Sequence, residues 1–521
     1  MSRMWPLIGV LALVWSLASG VCAQPVRTEA GALQGVREGA VTVFKAVPYA
    51  APPVGDLRWR EPRPAARWKG VRKADAFAPA CMQKGVSMPG ETPPKVSEDC
   101  LYLNVWTPRR HRGAALPVIV WIHGGGWTNG SASMPLYRGD RLAAKGAVVV
   151  TVGYRLGPLG FLAHPELSRE SGHGVSGDYG LMDQIAALQW VRRNISAFGG
   201  DPRRVTIAGQ SAGAMAVSAL MASPQARGLF QRAIAQSGGL FEPLQLAPSY
   251  RLPSAEKDGV AYAASLGAHS LADLRRLPAE RLLEGQANMV SHPVVGTEVL
   301  PLSPYEAFAA GTQSDTPLLL GSNAEEARSL VDLKPVRAAS LSADIARSFG
   351  DLPPPLLDAY PHATDEQARQ ARADFERDLR FGWDMWAWAR LQAATGKAPI
   401  FAYRFTRRPP FPAGSPYEGW GASHFAELWY MSDHLDQYPT WAWSPADRAL
   451  ADRMSTYWIN FARTGDPNGP GLPAWPAFTG ENGRTQYLGD TITTGGVADL
   501  DKLKVFDGVY SAVRGAPFGR R

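Results

Sequence analysis

The feature that most constrains the fold is a recurrence of short, unbroken apolar runs that are rich in β-branched residues. The runs lie at 118–122, 147–152, 205–208, 317–320 and 400–405. Apolar runs without alternation, separated by amphipathic helical segments such as 181–194 and 212–221, are typical of strands buried on both faces of a parallel sheet. The sequence therefore predicts the α/β class, with a mostly parallel central sheet flanked by helices.

Two long regions, 240–315 and 325–395, are helix-rich and interrupted by prolines. We expect them to be helical insertions that cover one end of the sheet as a lid or pocket wall. No internal repeat, low-complexity tract or clear linker divides the chain, although its 521 residues could hold several domains. Residues 24–521 are therefore predicted to form a single domain.

The charge pattern argues against a nucleic-acid partner. The chain has 54 basic and 47 acidic residues and a formal net charge of +7. No block of five or more lysines and arginines stands out, and no basic stripe with interleaved aromatic residues is present. The sequence leaves the oligomeric state open.

Residues 1–23 have the pattern of a secretory signal peptide. One positive charge precedes an apolar stretch from Leu7 to Ala18, and small residues follow at Val21-Cys22-Ala23. A membrane anchor would need roughly 18–20 unbroken apolar residues, and this stretch is shorter. A lipid anchor on Cys22 is disfavoured by Val21. We therefore expect cleavage after Ala23, export to the periplasm or medium, and no membrane span in the mature chain.

Cleavage would leave two cysteines, Cys81 and Cys100, in one segment of an exported protein. Export favours oxidation, so a structural disulfide is the expected state. It would close a loop of about 20 residues and contribute roughly 3 kcal/mol to stability.

Ser211 is the candidate nucleophile. It lies in the only G-x-S-x-G frame of the chain, Gly209-Gln-Ser-Ala-Gly213, directly after a predicted strand and before a predicted helix. Small neighbours permit the strained turn that lifts a serine hydroxyl clear of the backbone. The N-terminus of the following helix favours negative charge that develops near the serine.

A glycine-rich loop, Ile122-His-Gly-Gly-Gly-Trp127, follows an upstream strand. In α/β-hydrolases a loop at this place supplies backbone amides to the oxyanion of the tetrahedral intermediate. A phosphate-binding loop is disfavoured because no Lys-Ser/Thr pair follows the glycines. His123 is expected to brace the loop rather than to transfer protons.

The general base and its acid should follow the serine in the chain. Five histidines do so, and the position after the 400–405 strand favours His424, with His434 as the second choice. The carboxylate is expected after the 317–320 strand, where the residues alone do not separate Glu325 from Glu326.

These motifs resemble the type-B carboxylesterases, which include the cholinesterases and bacterial para-nitrobenzyl esterases, over essentially the whole mature chain. The resemblance rests on four segments: 47–58 (VPYAAPPVGDLR), 98–105 (EDCLYLNV), 198–213 (FGGDPRRVTIAGQSAG) and 461–468 (FARTGDPN). It implies the α/β-hydrolase fold and the hydrolysis of small-molecule carboxylic esters.

The resemblance also implies site roles. Ser211 would be the nucleophile, His424 the base and Glu326 the acid, with oxyanion donors at the amides of Gly125, Gly126 and Ala212. Further implications are the Cys81–Cys100 disulfide, ion pairs that join Arg58 to Glu98 and Arg155 to Asp183, and support of the histidine and the serine from behind by Ser237 and Glu427. Gln210 stands where many members have glutamate, and Glu325 and Ala327 replace the usual aspartate and glycine around the acid.

No metal or other cofactor is expected, because the sequence contains neither an H-E-x-x-H zinc motif nor a dinucleotide-binding G-x-G-x-x-G after a strand. Two alternatives remain open. The same triad could act on feruloyl, phthalate or toxin esters, thioesters, lactones or amides. A non-catalytic cholinesterase-like binding protein is the other alternative, although serine, glutamate and histidine are all retained.

Overall fold

The computed structural model describes residues 23–86, 88–89, 92–109, 115–350 and 352–515, so the expected signal peptide lies outside the described residues except for Ala23. The β-strands of the described part are, in chain order, Val26–Arg27 (β1), Ala32–Gln34 (β2), Val36–Glu38 (β3), Val41–Pro48 (β4), Val71–Lys73 (β5), Ala80–Cys81 (β6), Val96–Ser97 (β7), Tyr102–Pro108 (β8), Leu116–Ile122 (β9), Val148–Val152 (β10), Gly200–Gln210 (β11), Arg232–Gln236 (β12), Leu318–Asn323 (β13), Ile400–Phe405 (β14), Thr485–Leu488 (β15) and Ile492–Gly495 (β16).

The α-helices of the same residues are Asp140–Ala144 (α1), Gly157–Phe161 (α2), Pro165–Ser171 (α3), Tyr179–Asn194 (α4), Ala212–Ala222 (α5), Leu252–Ser265 (α6), Leu271–Arg276 (α7), Pro304–Ala309 (α8), Leu341–Phe349 (α9), Pro355–Asp358 (α10), Asp365–Arg377 (α11), Trp383–Thr395 (α12), Leu428–Met431 (α13), Pro445–Thr464 (α14) and Leu500–Arg514 (α15). A π-helical segment, Asp378–Gly382, joins α11 to α12.

One large sheet organises the fold, in the strand order β16-β15-β14-β13-β12-β11-β9-β10-β8-β4-β3. The pairs from β10 to β15 are parallel, whereas β8, β4 and β3 at one side and β16 at the other pair antiparallel. The prediction of a mostly parallel central sheet is therefore confirmed.

The apolar runs of the sequence form central strands of the sheet. Both faces of these strands are buried, so they need apolar side chains on both sides. Every residue of Val148–Val152 is buried, and this strand pairs in register with the equally apolar Val118–Ile122. The strand predicted at 205–208 is longer than expected and starts at Gly200. Its first residues are polar and the register shifts before Val205, so an apolar run marks only its buried half.

Helices cover both faces of the sheet. Adjacent residues of a strand point to opposite faces, and in β11 Ile207 packs in the cluster that contains the apolar side chains of α5, whereas Ala208 packs with Trp458 of α14. Both helices lie against the central strands.

The carboxyl ends of the parallel strands share one edge of the sheet, and the candidate residues collect there. Ser211 directly follows β11, Ser237 directly follows β12, and Glu326 lies three residues after β13. His424 lies in the long loop after β14. None of the helices among the described residues is long and apolar enough to cross a membrane. The single domain over 24–521 stays a prediction.

Candidate active site

Ser211 occupies a sharp turn between β11 and α5. Its φ of 57° and ψ of −129° lie in a region that non-glycine residues rarely adopt. The turn needs glycine on both sides: a Cβ at Gly209 would approach the Gly213 carbonyl carbon to 2.4 Å, and one at Gly213 would approach the Ile122 oxygen to 2.1 Å. The G-x-S-x-G spacing is therefore a packing requirement of this turn.

His424 and Glu326 form a buried pair. The Nδ1 atom of His424 lies 2.6 Å from Oε2 of Glu326, and both side chains are almost fully buried. The other carboxylate oxygen, Oε1, accepts hydrogen bonds of 2.6 Å from the Ser237 hydroxyl and from the Asn323 backbone amide. Three donors thus fix the Glu326 carboxylate against the imidazole.

Glu325, the alternative acid, points elsewhere. Its carboxylate accepts bidentate hydrogen bonds from Arg408 at 2.6 and 2.8 Å and one from the Ala422 backbone amide at 2.9 Å. It also forms an ion pair with Arg328. His434, the alternative base, lies 3.1 Å from Asp140 and belongs to a different cluster.

The imidazole of His424 also contacts Phe381 and Gln210. The ring of Phe381 stacks on it with a centroid distance of 4.6 Å and an interplanar angle of 17°. The amide nitrogen of Gln210 lies 3.1 Å from Nε2 and 3.4 Å from Nδ1. Within the described part of the chain, no hydrogen bond joins Ser211 Oγ to Nε2, and such contacts often tighten only when substrate binds.

The glycine-rich loop lies directly over the nucleophile. A Cβ on Gly124 would be 3.0 Å from Cβ of Ser211 and 2.6 Å from the Gln210 oxygen. Gly125 and Gly126 have φ values of 106° and 58°, and the amides of Gly125, Gly126 and Ala212 donate no hydrogen bond to any residue that the structure describes. These three amides are therefore available to an oxyanion.

His123 braces this loop, as expected. Its Nδ1 lies 2.9 Å from the Gly124 oxygen and its ring stacks on Tyr154 at 4.4 Å. Burial lowers the pKa of His123 to about 4, so the ring is neutral near pH 7. Gln83 holds the C-terminal end of the loop. Its side chain accepts a hydrogen bond from the Gly130 amide and donates one to the Gly130 carbonyl oxygen, both at 2.8 Å.

A cavity of about 610 Å³ opens above these groups. Ser211, His424 and the three free amides line it, and most of the remaining wall is apolar. The two helix-rich regions supply much of that wall, including Leu240, Leu300, Phe349 and Leu352. This size suits a small-molecule ligand.

The chain matches the carboxylesterase family over residues 23–499. It belongs to that family. The fumonisin B1 esterase of Sphingopyxis macrogoltabida is 38% identical to it over 94% of this chain and 92% of that protein. The para-nitrobenzyl esterase of Bacillus subtilis (strain 168) is 36% identical over 90% of this chain and 96% of that protein.

Solved structures agree with this assignment. A thermophilic PNB esterase superposes with a TM-score of 0.81 at 34% identity, covering 93% of this chain and 99% of that one. Another PNB esterase gives a TM-score of 0.78 at the same identity and coverage. The protein therefore has the α/β-hydrolase fold and is a carboxylic ester hydrolase.

The structural links expected of this carboxylesterase are present. Cys81 and Cys100 form a disulfide, as predicted. Arg58 pairs with Glu98 at 2.7 Å and Arg155 pairs with Asp183 at 2.8 Å, which confirms both ion pairs.

A second buried carboxyl group lies behind the site. Glu427 accepts hydrogen bonds from Gln236 and Asn323. Burial, and then the negative charge of Glu326, raise the pKa of Glu427 to about 7. Near neutral pH Glu427 is therefore partly protonated.

The large aromatic side chains of this region divide between the cavity wall and the core. Trp127 and Phe425 line the cavity, whereas Trp383, Trp388 and Trp429 are buried in the core and do not line it. Sequence reasoning missed Phe381 and the contact between Gln210 and His424. No motif marks either, since both depend on segments distant in the chain.

Proposed function

We propose that this carboxylesterase hydrolyses its substrates through a triad of Ser211, His424 and Glu326. The observation that carries the proposal is the common cavity. Ser211, His424 and three unbonded amides line it, and Glu326 holds the histidine from behind. Nucleophile, base and oxyanion donors would thus all reach one ester group.

In the first step His424 Nε2 takes the proton from Ser211 Oγ as the oxygen attacks the ester carbonyl carbon. The carbonyl oxygen becomes an oxyanion and accepts hydrogen bonds from the amides of Gly125, Gly126 and Ala212. Each such donor lowers the barrier by about 2.7–4 kcal/mol.

The intermediate collapses when the bond to the alcohol oxygen breaks and the imidazolium returns its proton to the departing alcohol. Water then attacks the acyl-serine, with His424 again as the base, and releases the carboxylic acid and free serine. Charge and protons balance within the triad, so these steps need no further group.

Glu326 is assigned a positioning role. Its carboxylate accepts the Nδ1 proton of His424, so the lone pair of the imidazole stands on Nε2, the atom that must receive the serine proton. The amide nitrogen of Gln210, 3.1 Å from the same Nε2, would have to yield that position to Ser211 Oγ in the substrate complex.

Replacing Ser211 with alanine tests the nucleophile. We expect wild-type protein to hydrolyse a series of para-nitrophenyl esters from acetate to palmitate, and Ser211→Ala to show no turnover while its circular dichroism spectrum is unchanged. A fluorophosphonate probe should label wild type at Ser211 and leave the variant unlabelled. Retained labelling or turnover in the variant would disprove the assignment.

We also propose that the protein is exported and that residues 1–23 are removed. The Cys81–Cys100 disulfide supports this, because disulfides persist in oxidising compartments. Sequencing the N-terminus of protein recovered from periplasm and medium tests the proposal. A mature chain that retains residues 1–23 and stays in the cytoplasm would contradict it.

A further inference from the structure

We propose that Arg380 forms a subsite for a carboxylate group carried by the ester substrate. The inference deepens the proposed function and rests on it, since the subsite lies in the cavity that contains Ser211. Arg380 is the one arginine or lysine among the residues found to line this cavity.

The π-helical segment Asp378–Gly382 places Arg380 at the cavity wall. Three consecutive residues of this segment, Leu379, Arg380 and Phe381, line the cavity. Insertions of this kind re-aim side chains and are frequent at functional sites. Arg380 directly precedes Phe381, whose ring stacks on the proposed base, His424.

The guanidinium group is held in place through one of its nitrogens. Nε of Arg380 lies 2.8 Å from Oε2 of Glu376, which is fully buried, and Cζ lies 4.9 Å from the centroid of the Phe349 ring. Nη1 and Nη2 have no hydrogen-bond partner among the described residues, and the side chain is 41% exposed. An anchored arginine with two free amino groups matches the two oxygens of a carboxylate.

The charge of Arg380 is not cancelled by its anchor. Glu376 also binds Arg372, whose Nε lies 2.6 Å from Oε1. Two arginines thus share one carboxylate, and the cluster of Arg372, Glu376 and Arg380 carries one net positive charge.

Glu242 is the one carboxylate among the residues found to line the cavity, and no ion pair within the described part of the chain joins it to Arg380. Burial raises the pKa of Glu242 to about 7, partly offset by the positive charges of Arg514 and Arg380. Burial and the charge of Glu242 raise the pKa of Asp384 well above its usual range. Both shifts favour the protonated carboxyl groups, which limits the negative charge beside Arg380.

Two matched pairs of esters test the subsite. The mono-para-nitrophenyl ester of adipic acid, compared with para-nitrophenyl hexanoate, places a carboxylate on the acyl part. 4-Acetoxybenzoate, compared with its methyl ester, places it on the alcohol part. The quantity measured is the ratio of kcat/KM for the anionic ester to kcat/KM for its neutral partner.

We expect Arg380→Gln to lower this ratio about tenfold or more for at least one pair, because a charge-assisted hydrogen bond is lost. The ratio for Arg380→Lys should lie between those of wild type and Arg380→Gln. Lysine keeps the positive charge but cannot donate two parallel hydrogen bonds to a carboxylate. Arg203→Gln removes a charge that is 89% exposed near the opposite end of β11, roughly 23 Å from Gln210, and should leave the ratio unchanged.

An unchanged ratio in Arg380→Gln for both pairs would overturn the subsite and leave the proposed esterase triad intact. Failure of the wild-type protein to hydrolyse the neutral esters would instead contradict the proposed function itself. The two failures are therefore distinguishable within one set of measurements.

Discussion

Replacing Glu326 with glutamine should deprive the base, His424, of the lone pair on Nε2 without removing any side chain from the site. Oε1 of Glu326 accepts two donors, and one of them, the backbone amide of Asn323, cannot rotate away. The glutamine carbonyl oxygen is therefore expected at the Oε1 position, which leaves its NH₂ group facing Nδ1 of His424. That nitrogen must then accept a hydrogen bond, and the imidazole proton moves to Nε2.

The expected loss is large because Nε2 then has no lone pair for the serine proton. A serine hydrolase whose histidine is held in the wrong tautomer loses about 10⁴ in kcat, which corresponds to about 5 kcal/mol of barrier. KM should change little, since Glu326 is buried behind the histidine and does not line the cavity.

The assay is steady-state hydrolysis of para-nitrophenyl butyrate by wild type, Glu326→Gln and Glu325→Gln. Glu325→Gln is the matched control, because it makes the same chemical change one residue away at a carboxylate paired with the exposed Arg408. Within the described residues Glu325 makes no hydrogen bond with His424, so less than about tenfold in kcat should be lost. Equal losses in the two variants, or a larger loss in Glu325→Gln, would refute the reasoning.

Two other predictions concern stability. The double variant Cys81→Ala/Cys100→Ala should lose about 3 kcal/mol of unfolding free energy in urea titrations, because the disulfide closes a loop with a sequence separation of 19; an unchanged denaturation midpoint would contradict this. Glu242 has a folded-state pKa of about 7 against a usual value of 4.5, so the folded chain binds the proton more tightly than the unfolded chain. The contribution of Glu242 to the unfolding free energy therefore falls as pH rises from about 4.5 through about 7. Glu242→Gln should therefore show a shallower fall over that window than wild type, and an identical pH dependence would show that Glu242 ionises as it does in the unfolded chain.

Much of the fold was predictable because buried parallel strands leave a plain mark in the sequence. The run at 400–405 coincides with β14, and those at 118–122 and 147–152 lie within a residue or two of β9 and β10. The polar start of β11 left no such mark. Its pairing from Gly200 onward depends on the neighbouring strand rather than on local composition.

The positions of Ser211 and His424 at strand ends could also be inferred, whereas the choice of acid could not be made from the residues alone. Glu325 and Glu326 are adjacent, and their directions are set by partners about eighty to one hundred residues away, Arg408 for one and His424 for the other. Arg380 and Glu242 were missed for the same reason. Their importance comes from a shared cavity wall, which no local pattern encodes.

The π-helical segment between α11 and α12 also makes this part of the chain sensitive to a change in length. A regular α-helix turns by about 100° per residue. Deleting one residue between Asp378 and Gly382 would let α11 and α12 merge into one continuous helix and would rotate one side of it by about that angle relative to the other. Phe381 could then not stack on His424 while the tryptophans of α12 stay buried in the core. Single-residue deletions here should therefore be far less tolerated than point substitutions at the exposed positions of the same helices.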